Sequence, residues 1–238
     1  MNNPLQVSGD PVSPERPRRP HLLIFDVNQT LSDMGPLGAR IADLGLPEHL
    51  ATTWFAGVLR DGFALAAAGA TAPFAEIAAE SLRVLFSTDT PNRDLQEAVT
   101  YVMEGFTSLG VHPDVVTGLD ALAELDIRMV TLSNGPVSAA QSLLTGAGVR
   151  QHFERLLSVE DVGAWKPAGP SYAYALAQCE VAPADAMLVA VHPWDTDGAA
   201  RAGLSSAWIN RNAAAYPAYF LAPTHQADSL VGLAQQLA

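Results

Sequence analysis

The sequence predicts an α/β protein built on a doubly wound parallel sheet, with an all-helical insertion after its first strand. Three observations carry this. Leu22, Leu23, Ile24 and Phe25 form an apolar run too short for a free-standing helix and bounded upstream by prolines, the pattern of a buried parallel strand. From Pro113 onward, short apolar runs alternate with helical stretches, and repeated strand–helix units imply a parallel sheet covered on both faces. Between these regions, residues 32–109 show helical patterning and no convincing strand.

Taken in order, residues 1–20 carry prolines at 4, 11, 14, 17 and 20, a density that denies helix and sheet pairing, so an extended or disordered leader is expected there. Its arginines Arg16, Arg18 and Arg19 read either as a docking patch or as a solvated tail. The sheet-forming core is expected over 21–34 and 110–238, and the helical insertion over 35–109. Within the insertion, helices are expected at 36–44, 49–68, 73–86 and 94–108, punctuated by Pro47, Gly69, Pro73 and a turn at 88–91. In the core, helices are expected at 118–125, 136–148, 170–179 and 196–202, and strands at 128–132, 155–158, 187–191 and 206–209. A closing amphipathic helix over 228–237 would start from Asp228 as its cap. Asp33 reads as a turn residue and Asp197 as a helix-start charge.

Composition narrows the functional classes. With 238 residues, 49% of them hydrophobic and 16% charged, the chain can bury a sizeable core. A net charge of -12 with 13 scattered Lys and Arg argues against nucleic acid, whose binders present a basic surface. An acidic enzyme takes an anionic substrate only through a local positive site, so single cations matter. The lone cysteine, Cys179, lies in an alanine-rich helical pattern, allows no intramolecular disulfide and is expected to be buried. No stretch approaches the ~20 apolar residues of a membrane span, and the first residues lack a signal peptide's apolar core; a cytoplasmic protein is expected. A homodimer is the commonest assembly for such a protein.

The chemistry starts at Asp26, at the carboxyl end of the first strand, where open α/β sheets form their ligand crevice. Read alone, Asp26 also fits a capping aspartate. The segment Phe25-Asp26-Val27-Asn28-Gln29-Thr30-Leu31 resembles the first motif of the haloacid dehalogenase superfamily, with Asp26 in the place of the nucleophile and Thr30 in that of the motif's threonine. In the superfamily's phosphatases a second aspartate, two residues on, protonates the leaving group. Here that position is Asn28, and an amide is no substitute for a carboxylic acid. This favours the branch resembling the 2-haloacid dehalogenases, whose halide leaves without a proton.

The later motifs follow in order. Ser133-Asn134, at a strand's end before a helix, forms an anion cradle or an ordinary helix cap, and it matches the second motif. Lys166, in a Lys-Pro pair that alone reads as a solvated loop, matches the lysine that keeps the nucleophile ionised, and Tyr172 matches the branch's tyrosine near the carboxylates. Trp194-Asp195 matches the fourth motif. Val191 stands where the phosphatases place a further acid that helps hold Mg²⁺, and valine offers no oxygen ligand.

Ala190 and His192 replace the branch's usual serine and asparagine. His192 either orients or deprotonates the hydrolytic water, or simply packs beside Pro193. The branch's cap arginine is missing: Phe55 falls near its place, with Arg60 the best substitute and Arg40 the next. Trp54, Phe55, Phe63 and Phe74 read as walls for a carbon–halogen substrate or as core of the insertion.

The resemblance, over residues 21–238, implies a Rossmann-like core roofed by a helical cap subdomain. It also implies hydrolysis of short 2-haloalkanoic acids through an aspartyl ester, with no metal and no cofactor. Asp26, Thr30, Lys166, His192 and Asp195 would be catalytic. Asn28, Arg60, Ser133, Asn134, Tyr172 and Trp194 would bind substrate or halide. A metal-assisted phosphatase or phosphonate hydrolase, or a ligand-binding member without catalysis, are the other readings of the same residues.

Overall fold

The computed structural model describes residues 19–238, so the leader expected over 1–20 falls almost wholly outside the described residues. At its edge Pro20 is buried and the Arg19 guanidinium donates to the Leu125 carbonyl at 2.9 Å.

The apolar run that opens the sequence pattern is strand β1 (Leu22–Phe25), buried throughout. It lies inside a six-stranded, all-parallel sheet with β2 (Arg128–Ser133), β3 (Arg155–Ser158), β4 (Ala186–Ala190), β5 (Ser205–Ile209) and β6 (His225–Ala227), in the order β3-β2-β1-β4-β5-β6. Because side chains alternate along a strand, Leu22 and Ile24 enter one apolar cluster and Leu23 and Phe25 the other, so both faces need cover. On one side that cover includes α5 (Val115–Ala123) and α9 (Leu230–Leu237), with Leu144 of α6 (Val137–Gly146). On the other it includes α7 (Gly169–Cys179) and α8 (Pro193–Arg201). The doubly wound sheet expected from the alternation is therefore present, with Cys179 buried beneath it.

The insertion is four helices, α1 (Pro36–Asp43), α2 (Leu50–Ala67), α3 (Phe74–Thr88) and α4 (Leu95–Thr107). Its two connections to the core run side by side. Ser32 and Val111 pair as an antiparallel bridge, Asp33 N donates to Gly110 O at 2.9 Å, and His112 N donates to Leu31 O at 3.0 Å. Asp33 is the turn residue expected, its carboxylate accepting from Gly35 N at 2.9 Å. The interior of the insertion is continuous with one face of the sheet, since a single apolar cluster holds Leu22 and Ile24 together with Trp54, Phe55 and Phe74.

Three expectations at element boundaries need correction. The fourth core strand stops at Ala190 rather than 191, because the Val191 amide turns to Thr30 Oγ1 at 3.1 Å. Helix α8 begins at Pro193, not 196, with the proline in its first turn, where a missing N–H costs nothing. Asp197 is thus inside the helix, paired with Arg201 four residues on at 2.8 Å. Helix α9 is capped by Ser229, whose hydroxyl accepts from Gly232 N at 3.1 Å, and Asp228 instead accepts from that hydroxyl at 2.7 Å. Strand β6 was not expected at all.

Candidate active site

The strand order places the carboxyl ends of β2, β1 and β4 side by side, and the chain turns outward in opposite directions on either side of β1. Such a switch point leaves a crevice that neither neighbouring connection fills. Asp26 follows β1 directly, its amide donating to Val189 O at 3.0 Å, while Ser133 ends β2 and Asp195 stands in the first turn of α8 after β4. Lys166 reaches the same point from the loop before α7.

These side chains form a dry ionic group. Lys166 Nζ donates to Asp26 Oδ1 at 2.9 Å and to Asp195 Oδ2 at 2.7 Å; the lysine and Asp195 side chains are 0% exposed and that of Asp26 6%. Thr30 Oγ1 donates to Asp26 Oδ2 at 2.6 Å, and Tyr172 Oη donates to Asp195 Oδ1 at 2.6 Å. Burial pushes the Asp26 carboxyl up, but the Lys166 ammonium, then His192 and the Thr30 hydroxyl, outweigh it and hold Asp26 below its usual range. Burial likewise works against the Lys166 ammonium, and the two carboxylates reverse it, so the lysine is held charged. Asp195 is shifted the other way, raised by burial and by the neighbouring Asp26 charge. One buried cation thus serves two carboxylates, and the balance differs between them: Asp26 is shifted down and Asp195 up. Burial, followed by the Asp195 charge, holds the Tyr172 phenol well above its ordinary value, so it stays a donor.

His192 stands beside Asp26. Its ring stacks on Trp194 at 4.9 Å, and Nε2 lies 3.1 Å from the Asn28 carbonyl and 3.7 Å from Asp26 Oδ2.

A sequence profile of haloacid dehalogenase-like hydrolases matches residues 21–203. The chain belongs to that family. As a haloacid dehalogenase-like hydrolase it is 27% identical over 223 residues to (S)-2-haloacid dehalogenase 1 of Pseudomonas sp. (strain CBS-3), covering 90% of this chain and 95% of that one. It is also 27% identical over 226 residues to (S)-2-haloacid dehalogenase H-109 of Pseudomonas putida, covering 87% and 93%. Among solved structures, an L-2-haloacid dehalogenase superposes with a TM-score of 0.86 at 26% identity, over 92% of this chain and 99% of the other. The fold is shared with the L-2-haloacid dehalogenase of Xanthobacter autotrophicus carrying covalently bound chloropropionic acid, at a TM-score of 0.81 and 23% identity, over 90% and 97%.

Within this hydrolase, several of the residues expected in the site are hydrogen-bonded to protein partners. Asn134 clamps the Lys166 main chain, accepting from its amide at 2.9 Å and donating to its carbonyl at 3.3 Å, so it positions the lysine. Thr30 spends its proton on Asp26 and its lone pair on the Val191 amide. The Tyr172 hydroxyl is turned to Asp195. Ser133 Oγ accepts from Gly135 N at 2.9 Å, with the Asn28 side chain beside Gly135.

Arg60 is not brought to the site. The buried stripe of α2 includes Trp54, Val58 and Gly62, and Arg60 lies two residues from the latter two, on the outer side of the helix. Its side chain is 74% exposed and paired with Asp61. Arg40 is likewise occupied, donating to the Tyr101 carbonyl and lying over that ring. Phe55 is core, packed with Trp54 and Phe74.

Trp165, beside Lys166, was not singled out from the sequence. Its indole stacks on Phe74 at 5.8 Å and lies directly against Gly62, while Trp194, beside Asp195, meets Phe63 at 4.9 Å. Two tryptophans adjacent to members of the ionic group thus dock helix α2 onto the core. Ser158 was also missed; its hydroxyl donates to Gly135 O at 2.9 Å and fixes the turn after Ser133.

The donor set does not suit a hard divalent cation. Both buried carboxylates are engaged by Lys166, Val191 offers no oxygen from its side chain, and among the described residues no group of three or more His, Cys, Asp and Glu is arranged to hold a metal. Among the same residues, no helix is long and apolar enough to cross a membrane.

Proposed function

We propose that this hydrolase displaces halide from 2-haloalkanoic acids, of the (S) hand that the relatives' names specify, giving 2-hydroxy acids through an ester on Asp26. The observation that carries this reading is the state of Asp26: an enclosed carboxylate, kept ionised by Lys166, with Asn28 rather than an acid two residues on. A desolvated anion fixed at the end of a strand is a competent nucleophile for in-line displacement at carbon, and a halide departs without needing a proton. Docking of α2 over the site keeps bulk water from competing in the first step.

In the first step Asp26 bonds to the halogen-bearing carbon as the carbon–halogen bond breaks, the electron pair leaving with the halide. In the second, water adds to the Asp26 carbonyl carbon and the ester bond to the substrate oxygen breaks. The 2-hydroxy acid departs, and one water oxygen stays on Asp26. His192 orients that water, takes one of its protons once esterification has removed the negative charge its Nε2 faces, and passes that proton to the departing substrate oxygen; the second proton leaves to solvent as Asp26 returns to a carboxylate. Lys166 steadies the oxygen that carries the developing charge.

Single-turnover reaction in ¹⁸O-water tests this. Label is expected in the Asp26 side chain and not in the first 2-hydroxy acid formed. Label in the product but not in Asp26 would mean that Asp26 activates water instead of attacking. Asp26→Asn is expected to remove turnover while leaving the fold intact, since it keeps shape and removes the charge.

A further inference from the structure

Asp26 itself is nearly enclosed, 4% exposed. The void bordering Asn28 under the cap measures only about 20 Å³. The open space next to the site lies to one side, in a cleft of about 920 Å³ between the start of α1 and α2 and the loops that follow β4 and β5. Pockets that take drug-sized ligands span about 300–1,000 Å³, so a two-carbon acid would leave nearly all of this cleft to water.

The cleft has a mixed lining. Ala51, Trp208 and Ile209 give it a buried apolar side, Gln29, His112 and Asn210 are half-buried, and Glu48, His49 and Asn212 are exposed. Its walls are also built. Trp208 Nε1 donates to Val191 O at 2.9 Å, and the Asn210 side chain exchanges two 2.9 Å hydrogen bonds with the Ala214 main chain. His192 joins the cleft to the chemistry, because it lines the cleft while its Nε2 stands 3.7 Å from Asp26 Oδ2.

We infer that this cleft seats the part of the substrate beyond its halogen-bearing carbon, so that the enzyme prefers 2-haloalkanoic acids with a chain of several further carbons over two- and three-carbon acids. The inference rests on the dehalogenation reading above and assigns its substrate class. The reacting carbon meets Asp26, the chain passes His192, and its methylenes leave water against the side formed by Ala51, Trp208 and Ile209.

The test is halide release by the purified full chain from the (S) forms of 2-bromopropionate, 2-bromobutanoate, 2-bromohexanoate and 2-bromooctanoate. Each methylene seated is expected to raise kcat/KM about threefold, levelling off where the chain runs past the apolar side. Thr52→Trp sets an indole into the cleft from an exposed position of α2, and should flatten the hexanoate-to-propionate ratio to below about threefold while melting like the wild type. A wild-type ratio at or below one, or a rise that Thr52→Trp leaves unchanged, overturns the inference and leaves dehalogenation standing. Failure of every acid, short and long alike, to release halide refutes the dehalogenation reading and this inference with it.

Discussion

Gly62 is the position at which the cap touches the lysine loop most closely, and Gly62→Ala should separate them. A Cβ there would lie 2.2 Å from Trp165 Cζ3, 2.4 Å from Cε3 and 2.7 Å from Cη2. Carbon atoms in favourable contact sit about 3.5–4.0 Å apart, so the helix or the indole has to give way by more than about 1 Å. The indole has little freedom, being stacked on Phe74 and bonded through Nε1 to the Ala72 carbonyl at 3.3 Å. Overpacking of this kind costs about 1–3 kcal/mol. If the strain is relieved by lifting α2, the closed state loses that much, and kcat/KM falls roughly ten- to hundredfold. Steady-state halide release gives the rate, and thermal unfolding should show a loss of only about 2–10 °C, since a chain of this size shifts a few degrees per kcal/mol. A second change, Trp165→Leu, makes room for the methyl and should recover part of the rate in the Gly62→Ala background. Wild-type kcat/KM and an unchanged melting temperature for Gly62→Ala would refute the docking argument.

The other expectations are shorter. Lys166→Met removes the largest of the contributions that together outweigh burial at Asp26, so the carboxyl should rise; the acid limb of single-turnover halide release then moves to higher pH, whereas the wild-type limb stays below the ordinary carboxylate range. The native protein gains stability from the depressed Asp26 value above its unfolded pKa and loses it as pH falls through the folded one; Lys166→Met should lose about 3–5 kcal/mol at neutral pH in denaturant titration, as breaking a buried ion pair does. Tyr172→Phe takes a charge-assisted hydrogen bond from Asp195 and should lower stability by about 1.5–3 kcal/mol; a change under half a kcal/mol would mean the phenol contributes nothing there. Arg60→Ala is expected to leave kcat/KM within about twofold, because an exposed pair with Asp61 is worth little, and a hundredfold loss would place the arginine back in the site. Halide release should be the same after exhaustive chelation and after added Mg²⁺, given a donor set with Asn28 and Val191.

Much of the core was legible because its signals are local. The run 22–25 is apolar on both alternations, and that is how a strand covered on both faces reads. The ionic group was legible as types in order, since Asp26, Lys166 and Asp195 each follow a recognisable strand end or precede a helix. What the sequence does not carry is who answers whom across the fold. Asn134 and Thr30 carry side chains suited to a substrate oxygen, yet their partners are main-chain groups of Lys166 and Val191, far away in sequence. Strand β6 has no apolar run and exists through its pairing with β5, from Ala207 opposite His225 to Ile209 opposite Ala227. Arg60 was chosen for its charge and its nearness in sequence, but helical phase decides, and the buried stripe leaves it outside. The role of Trp165 depends on a glycine over a hundred residues earlier in the chain, Gly62, whose missing side chain is a signal only once the two are seen in contact.

The bridge between Ser32 and Val111 has a consequence for how such a protein can change over generations. The two ends of the cap leave the core as neighbours, tied by main-chain hydrogen bonds that any sequence can make. Whatever chain is hung between them closes a loop whose entropy grows only slowly, by about 0.6 kcal/mol for each doubling of length. The core that carries Asp26, Lys166 and Asp195 can therefore keep its sheet register while helices are lengthened, swapped or lost at one spot. Selection on which molecules are accepted can then act on the inserted stretch with little penalty to the part that performs the bond-breaking, and a transplanted roof from another member of the family is the laboratory form of the same event.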